Sequence, residues 1–221
     1  MIDTLARFVP YTRDVYFRLF DTYDDAIWPA QIVAYTLCFL ALWITLRPFS
    51  GSSRIVSAIL ATAWIWNGVA FHMLHFARID WAAWPLGLLF VIQGLCFFVI
   101  GTLLNRLDFQ SSAGGIPGKV GIAFAVAALI LYPLLESPLG LAWPGTGLVG
   151  VAPGPTTLFT LGLLLLIAPR APVFLFAVPL LWSVVAGASG LVLMVTEDIW
   201  LAPAAVLAII LSLTKSRFSR S

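Results

Sequence analysis

The chain has 221 residues, of which 61% are hydrophobic and 10% charged, and its mean hydropathy is +1.01. A soluble fold carries about 25% charged residues to wet its surface, so twelve basic and ten acidic side chains exclude that class. A net charge of +2 gives no electrostatic footing for nucleic acid, and the lipid bilayer is the partner this composition requires.

Asp3, Asp14, Asp21, Asp24 and Asp25 crowd the first 25 residues, which lack an apolar run. A cleavable signal peptide needs a basic start and an apolar core, so the first span is expected to act as its own insertion signal. Ahead of that span, Val15, Tyr16, Leu19, Phe20 and Tyr23 share one helical face, and Asp14, Arg18, Asp21 and Asp25 the other. Thr12 is the expected N-cap. This segment, within residues 1–26, reads as an amphipathic helix in the interface plane. Packing of that face on the protein's own loops is the alternative.

A spanning helix needs about 20 apolar residues to cross some 30 Å of hydrocarbon. Segments 27–46, 54–76, 81–104, 119–135, 172–195 and 199–213 meet that length within a few residues. Segment 155–168 reaches only about 21 Å at about 1.5 Å per residue. The expectation is an all-α, polytopic transmembrane bundle over residues 27–214, with about seven spans, six long and one short or broken. Gly87, Gly94 and Gly101 recur every seven residues on the third span, and Ala186, Gly187 and Gly190 lie on the sixth span of the seven. Both patterns let helices approach closely. Cys38 and Cys96 sit within apolar segments and read as packing residues.

Basic residues set orientation. Arg47, Arg54, Arg106, Lys119, Arg170, Lys215, Arg217 and Arg220 fall on one side of seven spans, and Arg7, Arg13, Arg18 and Arg78 on the other. The expected placement is a bacterial inner membrane with the N-terminus outside and a basic cytoplasmic tail, residues 215–221. Six spans with both termini inside satisfy the same bias.

Two regions hold polar residues that could carry function. On the second span Trp64, Asn67, Gly68, Phe71, His72 and His75 share a sector of a regular helical wheel. His is both a proton switch and a common metal ligand, and Asp80 follows at the surface. Asp24, Asp25, His72, His75 and Asp80 are candidates for a cation site, with His72, His75, Asp24 and Asp25 as ligands of a divalent metal ion. Imidazoles hydrogen-bonded at headgroup depth are the plainer reading. In the second region, Pro144, Gly145, Gly147, Gly150, Pro153, Gly154 and Pro155 forbid regular helix. A helix restarting near Pro155 aims Thr156 and Thr157 into a cavity, as the broken helices of transporters do, unless the stretch is a snug loop outside the membrane. Glu136, Glu197 and Asp198 read as a solvated acidic rim.

Several activities are disfavoured. Two His on one helix cannot be opposed axial ligands, so a bis-histidine haem is not expected. The only lysines, Lys119 and Lys215, lie at membrane boundaries, so retinal is not expected. A zincin His-Glu-x-x-His is absent. His75 and Asp80 share the His-x4-Asp spacing of glycerolipid acyltransferases without the other motifs of those enzymes.

Four stretches carry a resemblance: Tyr16-Phe-Arg-Leu-Phe-Asp-Thr-Tyr-Asp-Asp-Ala-Ile-Trp-Pro-Ala-Gln31, the region from Ala70-Phe-His72 to Ile79-Asp-Trp-Ala-Ala83, Val151-Ala-Pro-Gly-Pro-Thr156 and Pro179-Leu-Leu-Trp182. On these the chain resembles an uncharacterised bacterial family of membrane proteins of this length, a domain of unknown function. The resemblance implies a seven-span, permease-like bundle and brings no activity with it. The leading expectation is a transporter or channel for a small solute or ion, with a polar site near the outer mouth of span two. The alternatives are a structural or accessory subunit of a membrane complex or a homo-oligomer, then a membrane-embedded enzyme or metal/redox sensor.

Overall fold

The computed structural model describes residues 9–110, 115–136 and 147–218. Helix α1 (Arg13–Ile27) starts from Thr12, whose Oγ1 accepts from the Val15 amide at 3.4 Å. It meets α2 (Ala30–Leu46) at 89°. Pro29 stands at this corner, where its fixed φ and missing N–H cannot continue a helix. There follow α3 (Ser52–Arg78), α4 (Ala83–Leu103), α5 (Ile116–Leu134), α6 (Pro153–Leu165) and α7 (Val173–Leu193). The short α8 (Thr196–Ile199) leads into α9 (Leu201–Phe218). Among the described residues the only β feature is a bridge between Phe109 and Ile167.

By length and composition, five helices can cross a membrane: α3, α4, α5, α7 and the joined α8–α9. The bent α1–α2 pair makes a sixth if taken as one broken span. The expectation of six long segments is therefore met by five, because the first keeps only the 17 residues after Pro29. Helix α6, with 13 residues, covers about 20 Å.

The N-terminal helix turns its aromatic face onto the protein. Leu19 and Tyr23 are buried, while Asp14, Arg18, Asp21 and Asp25 are exposed. Tyr23 donates to the Val151 carbonyl at 2.8 Å and accepts from Trp66 Nε1 at 2.9 Å. This is the arrangement of a helix laid on the protein's own loop.

Helix α6 is the axis of the bundle. All its residues except Leu158 are buried, against α3, α5, α7 and α9. It contains no charged residue, and its two prolines occupy the first turn, where a missing N–H costs no hydrogen bond. Lys215 caps its far end, donating from Nζ to the carbonyls of Leu165 at 2.9 Å and Ile167 at 2.5 Å. Such capping satisfies carbonyls that a helix end leaves orphaned. Lys215 is thus a buried part of the bundle, and α9 runs past it into the expected tail.

Glycines set the closest helix contacts. The α4 stripe faces α3: a Cβ on Gly87 would stand 2.7 Å from the Gly68 carbonyl oxygen, and one on Gly68 2.6 Å from that of Gly87. Gly94 lies against Ala61 and Ile65, and Gly101 against Ser57. Gly121 of α5 and Gly162 of α6 make a second reciprocal pair. Leu88, Ile92, Leu95 and Val99 of α4 face outward, 43–54% exposed. The helix is apolar on both sides, as a lipid-facing helix should be.

Replacing Gly68 by Leu is expected to push α3 and α4 apart and to cost about 1–3 kcal/mol, the range of core overpacking. Leu88→Ala, on the outer face, is the control. Thermal unfolding in detergent should show a clear drop for the first and little change for the second.

Candidate functional site

Regular α-helix ends at Trp66 in α3 and continues as wider π-helical turns over Asn67–His75. Hydrogen bonds then link residues five apart. His72 Nδ1 lies 2.9 Å from the Asn67 carbonyl, and His75 Nδ1 lies 2.7 Å from that of Ala70. A carbonyl only accepts, so Nδ1 is the protonated nitrogen in both rings. The other nitrogen of His72, Nε2, is buried without a hydrogen-bond partner. That ring is fully buried, 4.3 Å from the Phe90 ring centroid and 5.0 Å from that of Trp182. Trp182 Nε1 is buried and unpartnered as well.

Asn67 is committed to backbone. Its Nδ2 donates to the Ala63 carbonyl at 2.8 Å and the Gly150 carbonyl at 3.0 Å. Thr156 holds the same loop: its hydroxyl accepts from the Gly150 amide at 2.8 Å and donates to the Ala152 carbonyl at 2.6 Å. Residues 147–152 are non-helical and α6 begins at Pro153, two residues before the expected Pro155. Pro144 and Gly145 lie outside the described residues. Thr157 is buried with its hydroxyl unpartnered. Trp64 donates to Thr160 at 2.9 Å, closing the α3–α6 seam.

The feature that sequence reading assigned to a solvated rim lies inside the protein. Asp198, 7% exposed, opens the last span beside the first turn of α6. Tyr132 of α5 donates to its Oδ1, and Tyr16 of α1 lies 3.5 Å from its Oδ2. Donors thus reach both carboxyl oxygens, beside the first turn of α6. Gly154 makes the approach possible: a Cβ would strike the Tyr132 hydroxyl and stand 2.8 Å from Asp198 Oδ1.

Asp198 borders two adjoining cavities. The larger, about 300 Å³, lies among Tyr11, Tyr16, Phe71, Phe76, Asp80, Trp81, Trp182 and Ser189. The smaller, about 30 Å³, adds Tyr132, Gly154 and Glu197 and has room for a water molecule or two. Burial pushes the Tyr11 phenol above the ordinary range, so it stays a neutral donor.

Of the expected site residues, Asp80 lines the larger cavity, and its Oδ1 accepts from the Ala82 amide at 2.9 Å. His72 packs on Trp182, which lines both cavities, whereas His75 is half-buried with its ring 5.1 Å from that of Tyr23. Asp24 is buried with Oδ2 unpartnered, and its carbonyl accepts from Gln31 Nε2 at 2.6 Å; Asp25 is exposed. Among the described residues, no three His, Cys, Asp or Glu side chains form a group that could hold a metal ion. His72, His75, Asp24 and Asp25 are therefore not assembled into the expected metal site. The side chain of Glu136 lies outside the described residues. Sequence reading missed Asp198, Tyr132, Tyr11 and Trp182. A lone tyrosine within the apolar fifth helix and a carboxylate opening the last span were the available signals.

The family described as "Family of unknown function (DUF6064)" matches residues 13–221. No curated protein matches the chain, and no solved structure does.

Gly154→Ala is expected to displace Tyr132 from Asp198. Hydrogen bonds to charged groups contribute about 1.5–3 kcal/mol, so Gly154→Ala and Tyr132→Phe should each destabilise by an amount of that order. Because both act on one contact, the double variant should lose less than the sum. Additive losses in chemical unfolding would mean that Gly154 and Tyr132 act independently.

Proposed function

The chain belongs to this family of unknown function, and we propose that it is a membrane transporter or channel that takes a small solute or ion into the pocket beside Asp198. The observation that carries this reading is the buried carboxylate at the start of an apolar span, next to a broken segment and a cavity of about 300 Å³. An ionisable group at membrane depth is costly, and it persists where it faces a solute path or a watery cavity. The irregular turn 147–152 and the restart of α6 are the elements from which transporters build such sites.

The mouth of the pocket belongs to the end of the bundle where α3 and α7 finish and α6 begins. The basic residues Arg47, Arg54, Arg106, Lys119 and Arg170 stand at the other end, which supports reading that end as the cytoplasmic one. The pocket then opens outward, and the protein lies in a bacterial inner membrane with its C-terminus inside.

Two measurements test this. In proteoliposomes, the wild-type protein is expected to carry solute flux from a mixed panel of small ions and metabolites, and Asp198→Asn to abolish it while still reconstituting. Flux that is absent for the whole panel, or that is indifferent to Asp198, overturns the reading. For orientation, a membrane-impermeant maleimide should label Asp25→Cys in intact cells and Arg106→Cys only after permeabilisation. The reverse pattern inverts the topology.

A further inference from the structure

We infer that the solute of this pocket is a small organic cation bearing an alkylated ammonium group, an assignment that rests on the solute-binding reading above. Charge supplies the first argument. The larger cavity has Asp80 and Asp198 in its wall, the smaller adds Glu197, and neither is lined by a Lys, Arg or His among the described residues. Arg13 stands over the Phe17 ring at 5.3 Å, and Phe17 borders only the smaller cavity. An anion entering the larger space would meet two carboxylates with no basic lining residue to offset them.

The wall chemistry supplies the second argument. Tyr11, Tyr16, Phe71, Phe76, Trp81 and Trp182 border the cavity. Aromatic rings attract cations through their quadrupole, and rings grouped around one space are the means by which quaternary ammonium groups are recognised. Alkyl groups on the nitrogen also bury apolar surface against those rings.

Size and ligand count argue against a bare metal ion. A hard metal ion needs about six to eight oxygen ligands at close range, and no group of three His, Cys, Asp or Glu side chains is placed for that among the described residues. A space of about 300 Å³ is far larger than a bare ion and sits at the small end of organic-ligand pockets. Tyr11 and Ser189, both in the cavity wall, offer hydroxyls for a polar substituent on the same molecule.

The test uses the purified full chain in detergent, with Trp81 and Trp182 as intrinsic fluorophores in the pocket wall. Tetramethylammonium chloride, choline chloride, the neutral isostere 3,3-dimethyl-1-butanol and sodium chloride are titrated at constant ionic strength. The two ammonium probes are expected to give a saturable change, and the isostere and sodium none. Asp80→Asn, at the edge of the cavity, should weaken choline binding by about tenfold or more, as should Trp81→Leu when binding is followed by calorimetry. Equal binding of choline and its neutral isostere overturns the cation assignment and leaves a solute pocket in place. A response to sodium matching that to tetramethylammonium, or no saturable response to either ammonium probe, also overturns it. The flux dependence on Asp198 is measured separately, so failure here and failure of the transport reading are distinguishable.

Discussion

A peptide group buried in the protein has no water to satisfy it, so each N–H and C=O must find its partner within the chain. Helices meet this rule by themselves; the turn 147–152, pressed against α2 and α3, does not. Three side chains from three elements complete it. Asn67 of α3 serves the Gly150 carbonyl, Tyr23 of α1 serves the Val151 carbonyl, and Thr156 of α6 serves the Gly150 amide and the Ala152 carbonyl. Each such bond contributes about 1 kcal/mol net, but leaving the group bare costs more. The placement of α1, the polar sector of α3 and the restart of α6 all follow from that one demand. Asn67 and Thr156 hold this turn and line neither of the two cavities beside Asp198.

This constraint also explains where the aromatic residues gather. With α1 drawn onto the turn by Tyr23, its neighbours Tyr16 and Phe20 are carried against Phe71 and toward the last span. Phe71 and Phe76 extend the group along the end of α3, and Trp182 closes it from α7. The pocket is thus a by-product of sealing an irregular backbone, lined by neighbours of the side chains that did the sealing.

Much of the architecture was legible in the sequence because it depends on local pattern. Apolar length marks α3, α4, α5 and α7 within a few residues, Thr12 caps α1, and the seven-residue glycine repeat identifies the face of α4 that meets α3. Proline spacing located the start of α6. What could not be read locally was pairing. Asp198 meets Tyr132 and Tyr16 across long stretches of chain, and nothing near any of the three announces the others. The wheel drawn for span two also failed in detail, since it assumed regular turns. The wider turns over Asn67–His75 rotate successive residues less, which leaves His72 within the bundle and His75 beside Tyr23 at its edge. The first span fell short for a single residue's chemistry, Pro29, which converts a long apolar stretch into a corner.

The short axial helix α6 has an acidic group at its positive end and a basic group at its negative end, and both come from the final segment of the chain. Asp198 sits by the first turn, and Lys215 grips the carbonyls of Leu165 and Ile167. At about 20 Å, α6 cannot bridge the hydrocarbon unaided, and both groups lie later in the chain than α6 itself. The centre of the bundle therefore depends on the final segment: losing residues 196–218 would strip the partners from both ends of α6 at once.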